Sequence, residues 1–304
     1  MGLDNVMSPR RKILITGASG MLGSVLTKRL SLEDEIIGLS KSGRKGFAAC
    51  DLSDEAAIAS IFESKKPDLV INTAAYSDVD GCERDPKLAH EANALAVRHL
   101  SKLCGRFGAP LIHVSTDYVF DGRKKKPYVE TDPTSPVNIY GLTKLEGEYY
   151  AAHCQSPWAI VRTSWLFGPD NPANFVNAIL ARMKTQGEVS VLGDQVDAPT
   201  SVEDLTLAIK KIASSLLAAK KSKIKCETYH VCNGGSTTRY EMTLKIKEIL
   251  KMSQVRVSKT DPGSIQGRLA IRPPYAVMSN RHFEKTFRVR LRPWQESLKD
   301  YLLN

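Results

Sequence analysis

Tyr140 and Lys144 stand four positions apart in the run Tyr140-Gly141-Leu142-Thr143-Lys144. Four residues make just over one helical turn, so a helix here puts the phenol and the ammonium on one face. A phenol with a pKa near ~10 is a poor acid or base at neutral pH. A cation held beside it stabilises the phenolate and brings the group into range for general acid–base work. Upstream, Ser115-Thr116-Asp117-Tyr118 follows an apolar run and supplies hydroxyls and a carboxyl. Thr116 can hydrogen-bond a carbonyl oxygen as charge develops on it, with Asp117 beside it at the substrate. Near the start lies Gly17-Ala18-Ser19-Gly20-Met21-Leu22-Gly23. Glycines here let the backbone approach a pyrophosphate, whose charge sits on the amides opening the next helix. Together these groups describe hydride transfer from a nicotinamide to a carbonyl carbon. Tyr140 donates the proton, Thr116 orients the oxygen, and Lys144 holds the ribose hydroxyls and depresses the tyrosine pKa.

The elements that must position these groups alternate between short apolar runs and helical patterns. Strands are expected at 12–16, 35–39, 68–72, 111–115 and 159–162, and helices at about 20–30, 54–64, 87–105 and 138–153. Such alternation predicts an α/β fold, a doubly wound parallel Rossmann-type sheet with helices on both faces. Beyond Ser164, Pro169, Pro172, Pro199, Pro262, Pro273, Pro274 and Pro293 shorten the elements. That rhythm predicts a smaller α/β lobe, with helices at 174–186, 202–221 and 239–251 and strands at 189–192 and 228–232. Residues 1–10 read as a flexible leader, 11–165 as the nucleotide-binding domain and 166–304 as the substrate lobe. About 198–222 is expected to return to the first sheet.

The end of the second strand is where such folds read the adenosine ribose. It runs Gly38-Leu39-Ser40-Lys41-Ser42-Gly43-Arg44-Lys45, without an acid. Ser40, Lys41 and Arg44 suit a 2′-phosphate, so NADPH is favoured, with NADH as the alternative. Asp51, followed by Leu52, has the placement of an adenine-contacting loop and could accept from the exocyclic amine. Asn72-Thr73-Ala74-Ala75-Tyr76 closes a strand with small residues, which suits backbone passing along a cofactor or, equally, tight strand–helix packing. His113, inside an apolar strand, reads as a core histidine rather than a base.

Composition narrows the class. The 304 residues carry a formal charge of +10 and 42% apolar side chains. The basic runs at Arg123–Lys126 and Lys220–Lys225 lack interleaved aromatics or any nucleic-acid-binding pattern, so the charge reads as a solvated surface that draws a diphosphate substrate. No apolar run is long enough for a bilayer and no secretory h-region is visible, so neither nucleic acid nor membrane is expected as a partner. The six cysteines show no metal-ligand spacing and read as free thiols in a reducing cytoplasm, with no metal implied.

Taken in order, these motifs resemble the extended short-chain dehydrogenases, in which the glycine spacing G-x-x-G-x-x-G is typical. The likeness is to the dTDP-4-dehydrorhamnose reductase family. It is carried by residues 115–122, 135–148, 162–167 and 193–200, with Arg272-Pro273 near the C-terminus. The resemblance implies reduction of the 4-keto group of a deoxythymidine-diphospho-6-deoxyhexose. It also implies dinucleotide contacts from Gly20, Met21, Leu22, Ser40, Asp51, Leu52, Ala74, Ala75 and Tyr76, and a sugar contact from Trp165. It leaves a homodimer open. Two departures stand out: no acid occupies the Ser40 position, and the segment after Arg272-Pro273 differs from the family's usual pattern. The 4,6-dehydratases resemble this chain but carry Asp-Glu after the threonine, where Asp117-Tyr118 stands here. The alternative functions are another sugar-nucleotide epimerase or reductase on the same scaffold, or a non-catalytic NADP-binding regulatory subunit resembling the β subunit of methionine adenosyltransferase.

Overall fold

The computed structural model describes residues 10–304 apart from 170, 172–173, 220–225, 262 and 264–266. The expected leader, save Arg10, and the basic run at 220–225 therefore lie outside the described residues. Strands β1 (Lys12–Thr16), β2 (Glu35–Ser40), β3 (Ala48–Ala49), β4 (Leu69–Asn72), β5 (Leu111–Thr116) and β6 (Trp158–Thr163) alternate with helices. The helices are α1 (Met21–Leu30), α2 (Glu55–Lys65), α3 (Val79–Arg84), α4 (Pro86–His90), α5 (Ala96–Phe107) and α6 (Ile139–Ala152). The second half holds β7 (Leu166–Phe167), α7 (Phe175–Thr185), β8 (Glu188–Leu192), β9 (Thr200–Ser201), α8 (Val202–Ala219), β10 (Glu227–His230), α9 (Arg239–Ile249), β11 (Arg256–Thr260), α10 (Arg281–Phe287) and α11 (Trp294–Leu303).

Among the described residues, seven strands form one parallel sheet in the order β10-β6-β5-β4-β1-β2-β3. The order reverses between β1 and β4, and the crevice opens beyond their C-terminal ends, where ligands gather in open α/β sheets. Both faces of the sheet are covered, which explains the unbroken apolar runs of β1, β4 and β5. Val25, Leu26 and Leu30 of α1 pack with Leu205, Ile209 and Ile212 of α8 on one face. Ile58 and Phe62 of α2, Val97 and Leu100 of α5 and Ala151 of α6 cover the other.

Two features depart from the periodicity. The chain segment expected as one helix at 87–105 is α4, one π turn at Glu91–Leu95, and α5. The π turn leaves Asn93 fully buried, with its side chain bonded to Tyr76 and Thr143. The return to the main sheet also runs further than residue 222, because β10 pairs with β6 as the edge strand. The remainder of the second half has its own core of Val176, Ile179, Val189, Met242, Ile246 and Trp294, around the β8–β11 pair.

Candidate active site and its arginine-lined extension

Thr116 is the last residue of β5, and α6 starts across the crevice behind Asn138, whose Oδ1 accepts the Gly141 N–H at 2.8 Å. An Asn cap satisfies a donor that the helix cannot, which sets where the turn bearing Tyr140 begins. One turn on, Lys144 is 2% exposed. Its Nζ donates to the Val114 carbonyl at 2.7 Å and lies 3.5 Å from His113 Nε2. Burial drives the lysine down to about 8, opposed by the carboxylate of Glu148. Glu148 is itself held by a bidentate Arg162 at 2.7 and 2.9 Å and by Ser115 at 2.5 Å. The Tyr140 phenol is pushed above its ordinary value by burial and by Asp117, and the adjoining Thr116 hydroxyl pulls it partly back. Lys144 is not among the groups that shift Tyr140; the charge acting on the ammonium is Glu148, and the ammonium is anchored on the Val114 carbonyl.

Thr116 Oγ1 donates to Asp117 Oδ1 at 2.9 Å and accepts the Tyr118 N–H at 3.2 Å. Behind it, Asp117 meets Asp197, each 2% exposed. Both are raised, by burial above all and, for Asp117, by the Asp197 charge. His113 is buried and neutral, and its Nδ1 sits 3.0 Å from Asn72 Nδ2, in keeping with a core role.

The glycine loop lies beneath two adjoining cavities. Gly17 has φ +66°, and a Cβ there would stand 2.8 Å from the Ala74 nitrogen. A Cβ on Gly23 would stand 2.2 Å from the Gly17 carbonyl oxygen. The first cavity, about 390 Å³, is lined by Gly17, Ser19, Gly20, Ser40, Lys41, Asp51, Leu52, Ala74, Ala75 and Tyr76. The second, about 650 Å³, is lined by Met21, Leu22, Gly23, Thr116, Asp117, Tyr140, Lys144 and Trp165. Ser40 Oγ is buried at the first without a protein partner. A cradle too tight for any Cβ and an orphaned hydroxyl at the ribose position fit a dinucleotide.

Two expected contacts are arranged differently. Asp51 Oδ2 pairs with Lys41 Nζ at 2.9 Å, and its Oδ1 accepts from Ser53. The Ser53 amide and Lys41 bring that carboxyl down to about 2, so the acid is committed to its neighbours. Arg44 is exposed on the short turn after Gly43 and lines neither cavity.

The lobe adds arginines that spacing alone does not single out. Arg239 at the start of α9 lies over the Trp165 and Phe175 rings, 4.7 Å from each centroid. It opens both the second cavity and a third of about 340 Å³, which Arg182, Arg268 and Arg272 also line. Arg268 Nη1 is buried without a partner, while its Nη2 meets Asp194 at 2.6 Å. Trp165 has φ +39°, a backbone conformation that bulky residues rarely adopt, and its buried indole N–H is also unpartnered. The signal in the sequence was Arg272-Pro273; nothing marked Arg239.

A family model described as the RmlD substrate binding domain matches residues 11–304. The dTDP-4-dehydrorhamnose reductase of Mycobacterium tuberculosis is 35% identical over 94% of this chain and 91% of its own. The chain belongs to the dTDP-4-dehydrorhamnose reductase family. The chain is also similar to the spore coat polysaccharide biosynthesis protein SpsK of Bacillus subtilis, 34% identical over 96% of both chains. The dTDP-4-dehydrorhamnose reductase of Bacillus anthracis, solved in complex with NADP, superposes with a TM-score of 0.87 at 30% identity, over 97% of this chain and 99% of that one. The family's extended short-chain dehydrogenase fold accounts for the seven-stranded sheet and the crevice.

Proposed function

We propose that this protein reduces the 4-keto group of a nucleotide-linked deoxysugar, dTDP-4-dehydro-L-rhamnose to dTDP-L-rhamnose, with NADPH. The observation that carries the proposal is one crevice joining three things: the glycine cradle, the Thr116–Tyr140–Lys144 group, and a cavity lined by arginines. The dinucleotide, when bound, supplies the hydride. Residues 11–165 hold it, and residues 166–304 shape the substrate side. Tyr140 gives its phenolic proton to the carbonyl oxygen. Thr116, whose hydroxyl rotates between Asp117 Oδ1 and the crevice, orients that oxygen. Lys144 leaves Val114 for the ribose hydroxyls and then supports the phenolate. Trp165 offers an indole face and an unpaired N–H to the sugar. Arg239 and Arg268 carry donors without carboxylate partners enough to use them, and a diphosphate supplies the missing charge. The six free thiols support a cytoplasmic setting.

The test is NADPH oxidation, followed by its absorbance, with dTDP-4-dehydro-L-rhamnose, UDP-linked keto-sugars and non-sugar carbonyls. Turnover confined to the dTDP-linked sugar is expected. Tight NADPH binding without turnover on any nucleotide-linked keto-sugar would replace the reductase with a regulatory binder.

A further inference from the structure

The first turn of α6 is tied to the strap that walls the arginine cavity. Three side chains make the junction. On α3, Asp80 and Glu83 are three positions apart and so share a face. Glu83 Oε1 accepts the Ile139 N–H at 2.9 Å. Asp80 accepts the backbone N–H groups of Leu269 and Ala270 at 2.9 and 3.0 Å, and the Arg272 guanidinium at 2.7 and 3.1 Å. Asn138 closes the triangle. Its Oδ1 caps α6 at Gly141, and its Nδ2 donates to the Ile271 carbonyl at 2.8 Å. One buried amide, 7% exposed, thus holds both the strap and the helix that carries Tyr140 two residues later.

We propose that Asn138 is a positioning residue that couples occupancy of the arginine cavity to the placement of Tyr140. The strap carries Arg268 and Arg272 on either side of the Ile271 carbonyl, and both guanidinia face the cavity. A ligand phosphate that draws these arginines also draws the Ile271 carbonyl. Asn138 transmits that displacement to the start of α6, because its two bonds share one rigid amide. Binding energy from the nucleotide end is thereby used at the reacting centre, which raises turnover rather than only affinity. The inference rests on the reductase reading for its catalytic arm, but the mechanical link can be tested without it.

Asn138→Asp separates the two bonds. Aspartate caps a helix as well as asparagine does, but it brings an oxygen against the Ile271 carbonyl where an N–H had donated. Asn138→Ala removes both bonds and serves as the control for a merely structural role. For Asn138→Asp we expect a melting temperature lowered by about 2–5 °C, less than in Asn138→Ala, and NADPH affinity within about twofold, with turnover down about tenfold, the effect of one lost hydrogen bond. Amide exchange at Leu269 and Ala270 should quicken about tenfold. Deoxythymidine diphosphate alone should slow exchange at Gly141 in wild type and not in the variant. If wild type reduces no keto-sugar yet shows this protection, the reductase reading falls and the coupling stands. No protection at Gly141 in wild type would overturn the coupling. So would unchanged turnover and strap exchange in Asn138→Asp, or a melting loss equal to that of Asn138→Ala.

Discussion

Lys144→Met should stabilise the ligand-free protein while disabling it. The ammonium is almost wholly buried, and its native value of about 8 against 10.5 for an ordinary lysine measures what the fold gives up to keep it charged. That difference corresponds to about 3 kcal/mol at neutral pH. Methionine fills a similar volume, and Glu148 keeps its Arg162 partner. Losing the bond to the Val114 carbonyl returns about 1 kcal/mol, leaving a net gain of about 2 kcal/mol. For a chain of this length that is about 3 °C in melting temperature. The pH dependence fixes the sign. Between about pH 8 and the ordinary lysine value, the folded protein binds fewer protons than the unfolded chain, so wild-type stability rises with pH and the variant's advantage fades. Scanning calorimetry at pH 7 and pH 9.5 reads this, and NADPH titration reads the loss of the ribose contact. A lower melting temperature at pH 7, or unaltered cofactor affinity, would refute the reasoning.

Three further outcomes follow from the site. Tyr140→Phe removes only a hydroxyl; turnover with the dTDP-linked keto-sugar should fall about 10²–10⁴-fold with NADPH affinity nearly unchanged, and full activity would mean the proton comes from elsewhere. Lys41→Ala removes the cation at the 2′-phosphate position, so the preference for NADPH over NADH measured by calorimetry should shrink about tenfold; an unchanged ratio would remove Lys41 from cofactor selection. Asp197→Asn takes one charge out of the raised carboxyl pair. The pair binds more protons folded than unfolded above the ordinary carboxylate range, so wild-type stability is lost as pH rises there. The variant should melt higher at pH 8 and equal wild type near pH 4; an equal gain at both would point to packing instead.

Much of this was legible because the sequence and the sheet share a periodicity. Strand runs ending in hydroxyls, as in Leu111–Thr116, and an Asn two residues before Tyr140 placed β5 and the start of α6 closely. Elements with weak apolar signal were not legible. Arg281–Phe287 is short and mostly polar, Arg256–Thr260 holds a single apolar residue, and Trp294–Leu303 spreads its apolar residues over a short helix after Pro293, so α10, α11 and β11 escaped. Which sheet a strand joins is a matter of long-range pairing. Glu227–His230 reads as a lobe strand by position, yet it adds to β6. Nor does spacing reveal a π turn, because Glu91–Leu95 keeps helical composition while the extra residue turns Asn93 inward.

At the site, the residue types were visible and their partners were not. Lys41 and Asp51 were each read toward the cofactor, but the β2–β3 connection brings them together, so each first satisfies the other. Arg44 shares their composition but stands exposed on the turn after Gly43, at φ +66°, and does not line the cavity. Trp165 shows the limit most clearly. A left-handed tryptophan costs on the order of 1–3 kcal/mol. Bonds from Thr200 N–H to its carbonyl and Arg239 over its ring hold it there. Those partners lie 35 and 74 residues away in sequence, counted from positions 165, 200 and 239. Strain kept by such distant contacts, beside an indole N–H without a protein partner, supports the ligand-binding role proposed for Trp165.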